Sequence, residues 1–187
     1  ARSVALDVLV AVERDDAYAN LVMPTLLRQA ALDQRDVGLA TEIGYGALRR
    51  QGSLDAVIQA CAARSDIDIQ TLDVLRISAY QILFMRTPAH AAVDEAVELA
   101  KRVAGHGSAK FVNAVLRRVC ERDWSSWCQH LSADLPAVDA LALEYSFPTW
   151  VVRSLMDSYG LDLVTVVPLL ASCNEPAQVV LAARPGQ

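Results

Sequence analysis

The sequence predicts an all-α protein: an orthogonal helical bundle in residues 1–125, followed by a helical linker. Apolar residues recur at helical spacing along nearly the whole chain. Hydrophobic residues make up 53% of the sequence, which is enough to form a packed core. One short segment, residues 178–183, has the apolar, β-branched composition of a strand. We therefore expect residues 126–187 to hold the linker and the first strand of a second, incomplete α+β subdomain.

Two amphipathic helices are predicted at the start of the chain. Val4, Val8 and Val12 form an apolar stripe that predicts a first helix over about residues 2–14. Asn20 is a candidate cap for a second helix that runs to about residue 31. Pro24 would then lie in the first turn of this helix, where its missing N–H is tolerated.

The third and fourth helices are predicted from a cap and from glycines. Asp33 is a candidate cap for a helix that continues to about residue 50. Gly44 and Gly46 fall inside it, and glycines in a helix usually permit another helix to approach closely. Residues 52–53, Gly-Ser, are expected to stop this helix and to cap a fourth over residues 54–63.

Three further helices complete the predicted bundle. Residues 68–86 are apolar nearly all round, so this fifth helix is expected at the centre of the bundle. A sixth helix covers about residues 91–104, with Glu98 and Arg102 spaced to pair. Residues 105–107, Gly-His-Gly, should break the chain, and Ser108 should cap a seventh helix over about residues 109–122.

The linker is predicted as a series of shorter helices. Pro136 precedes a helix that runs to about residue 145. Residues 146–148, Ser-Phe-Pro, start another that ends near Gly160, and a third runs to about Cys173.

Composition argues against several classes of protein. No apolar run approaches the roughly 18 residues that a membrane-spanning helix needs. The N-terminus does not resemble a secretory signal, so we expect a soluble, cytoplasmic protein. The four cysteines lie far apart without a Cys-x-x-Cys pair, which argues against a metal site.

One short segment is cationic within an acidic chain. The formal net charge is −5, yet residues 101–122 contain six basic side chains and one acidic side chain. On a helix, Lys110, Asn113 and Arg117 share one face, while Phe111 and Arg118 line up on another. Cations and a helix N-terminus suit phosphate, an amide can read a base edge, and an aromatic ring can stack on an unpaired base. This segment is therefore a candidate RNA-binding surface.

Four segments together resemble the NusB-like helical domain. They are Gly44-Tyr45-Gly46-Ala47-Leu48-Arg49, Tyr80-Gln81-Ile82-Leu83, residues 92–100 (Ala-Val-Asp-Glu-Ala-Val-Glu-Leu-Ala) and residues 110–118 (Lys-Phe-Val-Asn-Ala-Val-Leu-Arg-Arg). This domain occurs alone as the transcription antitermination factor NusB. It also occurs at the front of the RsmB/Sun/Fmu methyltransferases, which methylate carbon five of a cytosine in small-subunit ribosomal RNA with S-adenosylmethionine.

The segment after the bundle resembles the methyltransferase family more closely. Residues 145–150, Tyr-Ser-Phe-Pro-Thr-Trp, are similar to that family's linker, although Phe147 stands where the family often has histidine. The resemblance implies an RNA face that includes the start of the first helix. The candidate RNA-binding residues are Arg2, Lys110, Phe111, Asn113, Arg117 and Arg118.

The resemblance also implies that the chemistry lies elsewhere. The family's nucleophile follows a proline, and none of the four cysteines here does, so we expect no catalytic residue in this chain. No strand leads into a glycine-rich turn, so S-adenosylmethionine is expected in a C-terminal domain beyond this chain. The expected partners are small-subunit ribosomal RNA and that methyltransferase domain, with no metal and no membrane.

Two alternatives remain open from the sequence. One is a stand-alone antitermination factor, which the sixty-odd residues after the seventh helix disfavour. The other is a protein-docking module that touches no RNA, in keeping with the acidic net charge. Phe111 could also belong to the core, and Asn113 could satisfy backbone groups.

Overall fold

A computed structural model describes residues 1–63 and 66–175. These residues form helices and connecting turns, without a strand, which confirms the predicted all-α class. The predicted strand at residues 178–183 lies outside the described residues. The helices are α1 (Arg2–Asp15), α2 (Ala19–Ala30), α3 (Gln34–Arg49), α4 (Gln51–Cys61), α5 (Ile69–Phe84), α6 (Ala89–Val103), α7 (Gly105–Val119), α8 (Trp124–Ser132), α9 (Ala137–Tyr145), α10 (Thr149–Tyr159) and α11 (Val166–Cys173).

Helix α5 lies at the centre of the bundle, as its apolar character predicts. It packs against α1, α3, α4, α6 and α7, and its residues 73–81 are all buried. The main hydrophobic cluster gathers around it and includes side chains from α1, α3, α4, α6 and α7. A smaller cluster joins α1, α2 and α3 through Val4, Val8, Met23 and Ala40. These five helices are therefore positioned by their packing on α5.

Gly44 and Gly46 of α3 lie at close helix contacts, as predicted. A Cβ atom added to Gly46 would overlap the ring of Tyr80 on α5. A Cβ atom added to Gly44 would lie 2.6 Å from Cε of Met23 on α2. Position 46 therefore needs a residue without a side chain, whereas at position 44 the flexible end of Met23 would have to shift.

Three predicted helix boundaries are wrong. Asn20 lies inside α2, which begins at Ala19 with Tyr18 at the cap position and no side-chain cap. Pro24 therefore lies beyond the first turn, within the helix. Residues 52–53 do not separate two helices, because α4 already begins at Gln51. Arg50 is the single residue between α3 and α4. Hydrogen bonds with the end of α9 stabilise the start of α4.

Helices α6 and α7 form a hairpin with a shorter connection than predicted. Ala104 alone separates them, and Gly105 has a φ of 85°, a conformation that favours glycine. The helix therefore resumes at Gly105 rather than after residue 107, and the Ser108 hydroxyl donates to the Ala104 carbonyl instead of capping. The predicted Glu98–Arg102 pair is also wrong, since Glu98 pairs with Lys101.

Helices α8 to α11 extend the bundle. Trp127 of α8 is buried in the main cluster, and its indole N–H donates to the Val119 carbonyl at 3.0 Å. The predicted boundary between the bundle and the linker, after residue 125, thus falls inside α8. Helices α9, α10 and α11 share a third cluster of buried residues, Ala142, Val152, Val166 and Leu170.

The linker is joined to the bundle by hydrogen bonds between α4 and the end of α9. The Ser53 hydroxyl donates to the Leu143 carbonyl at 2.6 Å, and the Ser146 hydroxyl accepts from the Ser53 N–H at 3.2 Å. Arg50 donates to the Glu144 carbonyl at 2.9 Å. The N-terminus of α4 and the C-terminus of α9 therefore cap each other.

None of the described helices combines the length and apolar character that crossing a bilayer requires.

Candidate nucleic-acid interface

The hairpin of α6 and α7 forms an open groove along one side. The groove consists of two adjoining cavities, each of about 370 Å³. Because the helices are antiparallel, the start of α6 faces the end of α7, so His90 lines the same cavity as Arg117. Lys101, near the end of α6, lines the second cavity with His106 and Lys110.

Three of the six predicted RNA-binding residues meet in this groove. Lys110, Asn113 and Arg117 lie one helical turn apart along α7, and all three line the groove. Lys110 and Arg117 are exposed, and Asn113 is half-buried. Within residues 1–63 and 66–175, neither cation has a salt-bridge partner. Both charges are therefore available to an anion.

The opposite face of α7 buries the apolar stripe that fixes this orientation. Val112, Val115, Leu116 and Val119 are fully or almost fully buried in the main cluster. Residues at positions 110, 113 and 117 must then point away from the core, because they lie on the other side of the helix. The packing of α7 thus places the amide between the two cations.

Phe111 and Arg118 lie on a different face of α7, toward α4. They line a small cleft of about 150 Å³ with Cys61 and Ala63. Arg118 is exposed and donates to the Cys61 carbonyl, the last of α4, at 3.0 Å. Phe111 is half-buried and packs against the main cluster. The structure therefore does not bring these two residues into the α6–α7 groove, and RNA contact by either stays a prediction.

Arg2 is also separate from the groove. Its Nε donates to Oε1 of the buried Gln81 at 2.9 Å, and its Nη1 lies 3.7 Å from Oε2 of Glu95. Only 22% of the Arg2 side chain is exposed. Arg2 therefore connects the start of α1 to α5 and α6, and its contact with RNA stays a prediction.

The α6 side of the groove adds residues that the sequence analysis did not select. His90, Asp94 and Lys101 recur at intervals of four and seven residues, which places them on one side of α6. The helical periodicity could have revealed this stripe. The sequence alone could not show that it faces Lys110, Asn113 and Arg117, because that requires the antiparallel packing of α6 on α7.

Two of the four cysteines, Cys61 and Cys128, do not offer a ready nucleophile. Burial raises the pKa of the Cys61 thiol to about 11 and that of the Cys128 thiol to about 12. Both thiols are therefore protonated at neutral pH, and the thiolate is the reactive form. Within the described residues, no three His, Cys, Asp or Glu side chains are grouped so as to hold a metal ion.

Comparisons with known proteins agree with this fold. Residues 1–121 match the NusB family. The transcription antitermination protein NusB of Syntrophomonas wolfei is 30% identical over 123 residues, which cover 64% of this chain and 92% of that protein. The chain therefore belongs to the NusB family.

Longer relatives match beyond the bundle. A Mycobacterium tuberculosis protein named "Putative methyltransferase" is 43% identical over 190 residues, which cover the whole chain and 42% of that protein. The ribosomal RNA small subunit methyltransferase B of Vibrio cholerae is 35% identical over 133 residues, covering 70% of this chain and 29% of that protein. The chain thus spans less than half the length of these methyltransferases. The predicted resemblance to the front of that family is confirmed.

Proposed function

We propose that this chain is the RNA-binding N-terminal region of a ribosomal RNA methyltransferase. The α6–α7 groove carries this proposal, because it sets Lys110, Arg117 and a half-buried amide along one open surface. Lysine and arginine neutralise phosphates, and these contacts position a protein on RNA without reading its sequence. The relatives named as ribosomal RNA methyltransferases supply the class of substrate.

The proposed reaction of the full-length protein is methylation of carbon five of a cytosine in small-subunit ribosomal RNA. The methyl donor would be S-adenosylmethionine, bound by a methyltransferase domain that follows this region. The Gly44-x-Gly46 pattern does not offer that donor a glycine-rich turn. Gly44 and Gly46 lie inside α3, where Met23 and Tyr80 fill the space in front of them. This chain would therefore hold the RNA, within the cytoplasm, while the second domain performs the reaction.

Charge reversal in the groove tests the proposal. Lys110→Glu combined with Arg117→Glu should weaken binding of a ribosomal RNA hairpin at least tenfold, because two phosphate contacts become repulsive. Filter binding at two salt concentrations measures this effect. Arg35→Glu with Arg153→Glu is the matched control, since both residues are exposed and lie on α3 and α10, away from the groove.

The control separates a local contact from a general effect of charge. Equal losses in the two double variants would show that only net charge matters and would contradict the proposed interface. No measurable binding by the unmodified chain, in low salt as well, would favour a protein-docking module instead.

A further inference from the structure

Asp94 and Asn113 occupy the junction of the two cavities of the α6–α7 groove. Each of them lines both cavities, and the two side chains come from opposite walls, α6 and α7. Lys110 lies one helical turn before Asn113, and Arg117 lies one turn after it. Lys110 and Arg117 are therefore about 10 Å apart along the helix axis. The junction therefore offers an acceptor carboxylate and an amide between two cations.

In the part of the chain that the structure describes, the polar side-chain atoms of Asp94 and Asn113 bond no other residue. Within residues 1–63 and 66–175, neither Asp94 nor the Asn113 side chain takes part in a side-chain hydrogen bond or salt bridge. Asp94 is exposed and Asn113 is half-buried. Asp94 could have paired with a neighbouring cation, yet the nearby Lys101 pairs with Glu98. The carboxylate is thus available for hydrogen-bond donors of a ligand.

In a groove that binds RNA, the carboxylate of Asp94 repels the phosphates. We therefore expect it to contact a base rather than the RNA backbone. A base that binds here must present donors to Asp94. Unpaired bases in RNA are read on their Watson–Crick edges, which are accessible in loops and single strands. Guanine alone presents two adjacent donors on that edge, N1–H and the N2 amino group, and these match the two oxygens of a carboxylate.

We propose that Asp94 and Asn113 form a subsite for an unpaired guanine. Asp94 accepts from guanine N1–H and N2–H, and the Asn113 amide donates to guanine O6. Lys110 and Arg117 bind the phosphates on either side of that nucleotide. Adenine, cytosine and uracil each offer only one donor group to the carboxylate. This inference rests on the proposed function, and it adds base selectivity to the proposed phosphate contacts.

The test compares short RNAs that differ at one position. The probes are heptamers of uridine whose central residue is guanosine, inosine, adenosine, cytidine or uridine. Inosine lacks the N2 amino group but keeps N1–H and O6. The chain should bind the guanosine heptamer about tenfold more tightly than the adenosine, cytidine and uridine heptamers, because a bidentate contact gives discrimination of this order. Inosine should fall between them.

Asp94→Asn should remove most of this preference, so that the guanosine and uridine heptamers bind with similar affinity. An asparagine keeps only one acceptor oxygen, and the substitution also removes a negative charge from the groove. Asp157→Asn on α10 is the control, since Asp157 is exposed and removing its carboxylate changes the net charge equally. This control should keep the guanosine preference.

The outcomes distinguish the subsite from the proposed function. Equal binding of all five heptamers, or a full guanosine preference in Asp94→Asn, would overturn the guanine subsite and leave RNA binding intact. Absence of binding to every heptamer and to the ribosomal RNA hairpin would overturn the proposed function as well.

Discussion

At the scale of single residues, the tightest constraint is the contact between Gly46 and Tyr80. The Tyr80 ring occupies the space that a side chain at position 46 would need, and its hydroxyl donates to Oε1 of Glu42 at 2.6 Å. The ring also stacks on Phe84, with 5.6 Å between the centroids. Tyr80 is therefore held on two sides and cannot easily move away from α3.

Gly46→Ala should lower the free energy of unfolding by about 1–3 kcal/mol, since it overpacks a well-filled core. Gly38→Ala on the same helix is the matched control. Nothing lies within 4 Å of a Cβ atom at position 38, so alanine there should stabilise the helix by about 1 kcal/mol. Urea denaturation measures both variants. A neutral or stabilising effect of Gly46→Ala would contradict the close contact.

The sequence pattern identified Gly44 and Gly46 as sites of close helix contact, but it could not identify the residues that contact them. Their place in an amphipathic pattern indicated a close helix approach, which the structure confirms. The partner residues Met23 and Tyr80 lie on other helices, and their identity depends on crossing geometry that periodicity does not contain. The same holds for Asp94, whose position on α6 was visible while its position opposite Asn113 was not.

At the scale of helices, a buried ionic cluster joins α1, α4 and α5. Arg76 of α5 is 4% exposed and donates to both carboxylate oxygens of Asp55 on α4, at 2.7 and 2.8 Å. It also donates to Oδ1 of Asp73 at 2.9 Å, while Glu13 of α1 lies 3.8 Å away. Oδ2 of Asp73 is buried and has no hydrogen-bond partner among the described residues. One cation thus faces three carboxylates.

Burial raises the pKa of Asp73 to about 6, although its bond to Arg76 works in the opposite direction. Between about pH 4 and 6 the folded state therefore binds a proton that the unfolded state has released. Asp73 then makes the fold less stable as the pH rises through this range, by roughly 2–3 kcal/mol in total.

Asp73→Asn removes this contribution, so the stability of the variant relative to the unmodified chain should rise between pH 4 and pH 7. Chemical denaturation at several pH values measures the difference. Asp157→Asn serves as the exposed control and should show no such trend. Parallel pH profiles for Asp73→Asn and the unmodified chain would contradict the raised pKa.

Helix starts were harder to predict than helix faces, for a physical reason. The Asp33 cap was correct, and its carboxylate accepts from the Asp36 N–H at 2.8 Å. At the start of α4, the Ser53 N–H donates to the hydroxyl of Ser146, which is distant in sequence and lies at the end of α9. At the start of α7, Gly105 has a positive φ, which allows the chain to turn with only one residue between the two helices. Local sequence signals contain neither kind of information.

At the scale of the whole molecule, the linker and the groove lie on a common framework. Helix α4 contacts α5 and α7 within the bundle and also α8 and α9 of the extension. The mutual capping of α4 and α9 joins these parts, and Arg49 adds a bond to the Asn174 carbonyl at 3.4 Å. Helix α4 therefore links the helices of the extension to α7, which carries the proposed RNA surface.

The fold class follows from sequence patterns, and so does the common face of Lys110, Asn113 and Arg117, whose contact with RNA stays a prediction. Phe111 and Arg118 were included because they lie in the same cationic segment as the other candidates. Arg2 was included because the family resemblance implies that the start of the first helix belongs to the RNA face. The structure places all three outside the groove. Arg2 contacts Gln81 and Glu95, Phe111 packs against the main cluster, and Arg118 donates to the Cys61 carbonyl.

Mapping the RNA contact on the chain tests the central claim most directly. In a titration of the isotope-labelled chain with a ribosomal RNA hairpin, backbone amide resonances report which residues the RNA approaches. We expect the largest shifts along the groove, at residues 90–101 of α6 and 106–117 of α7. Shifts confined to α9–α11 or to the α1–α2 side, with α6 and α7 unchanged, would contradict the assignment of the groove as the RNA surface.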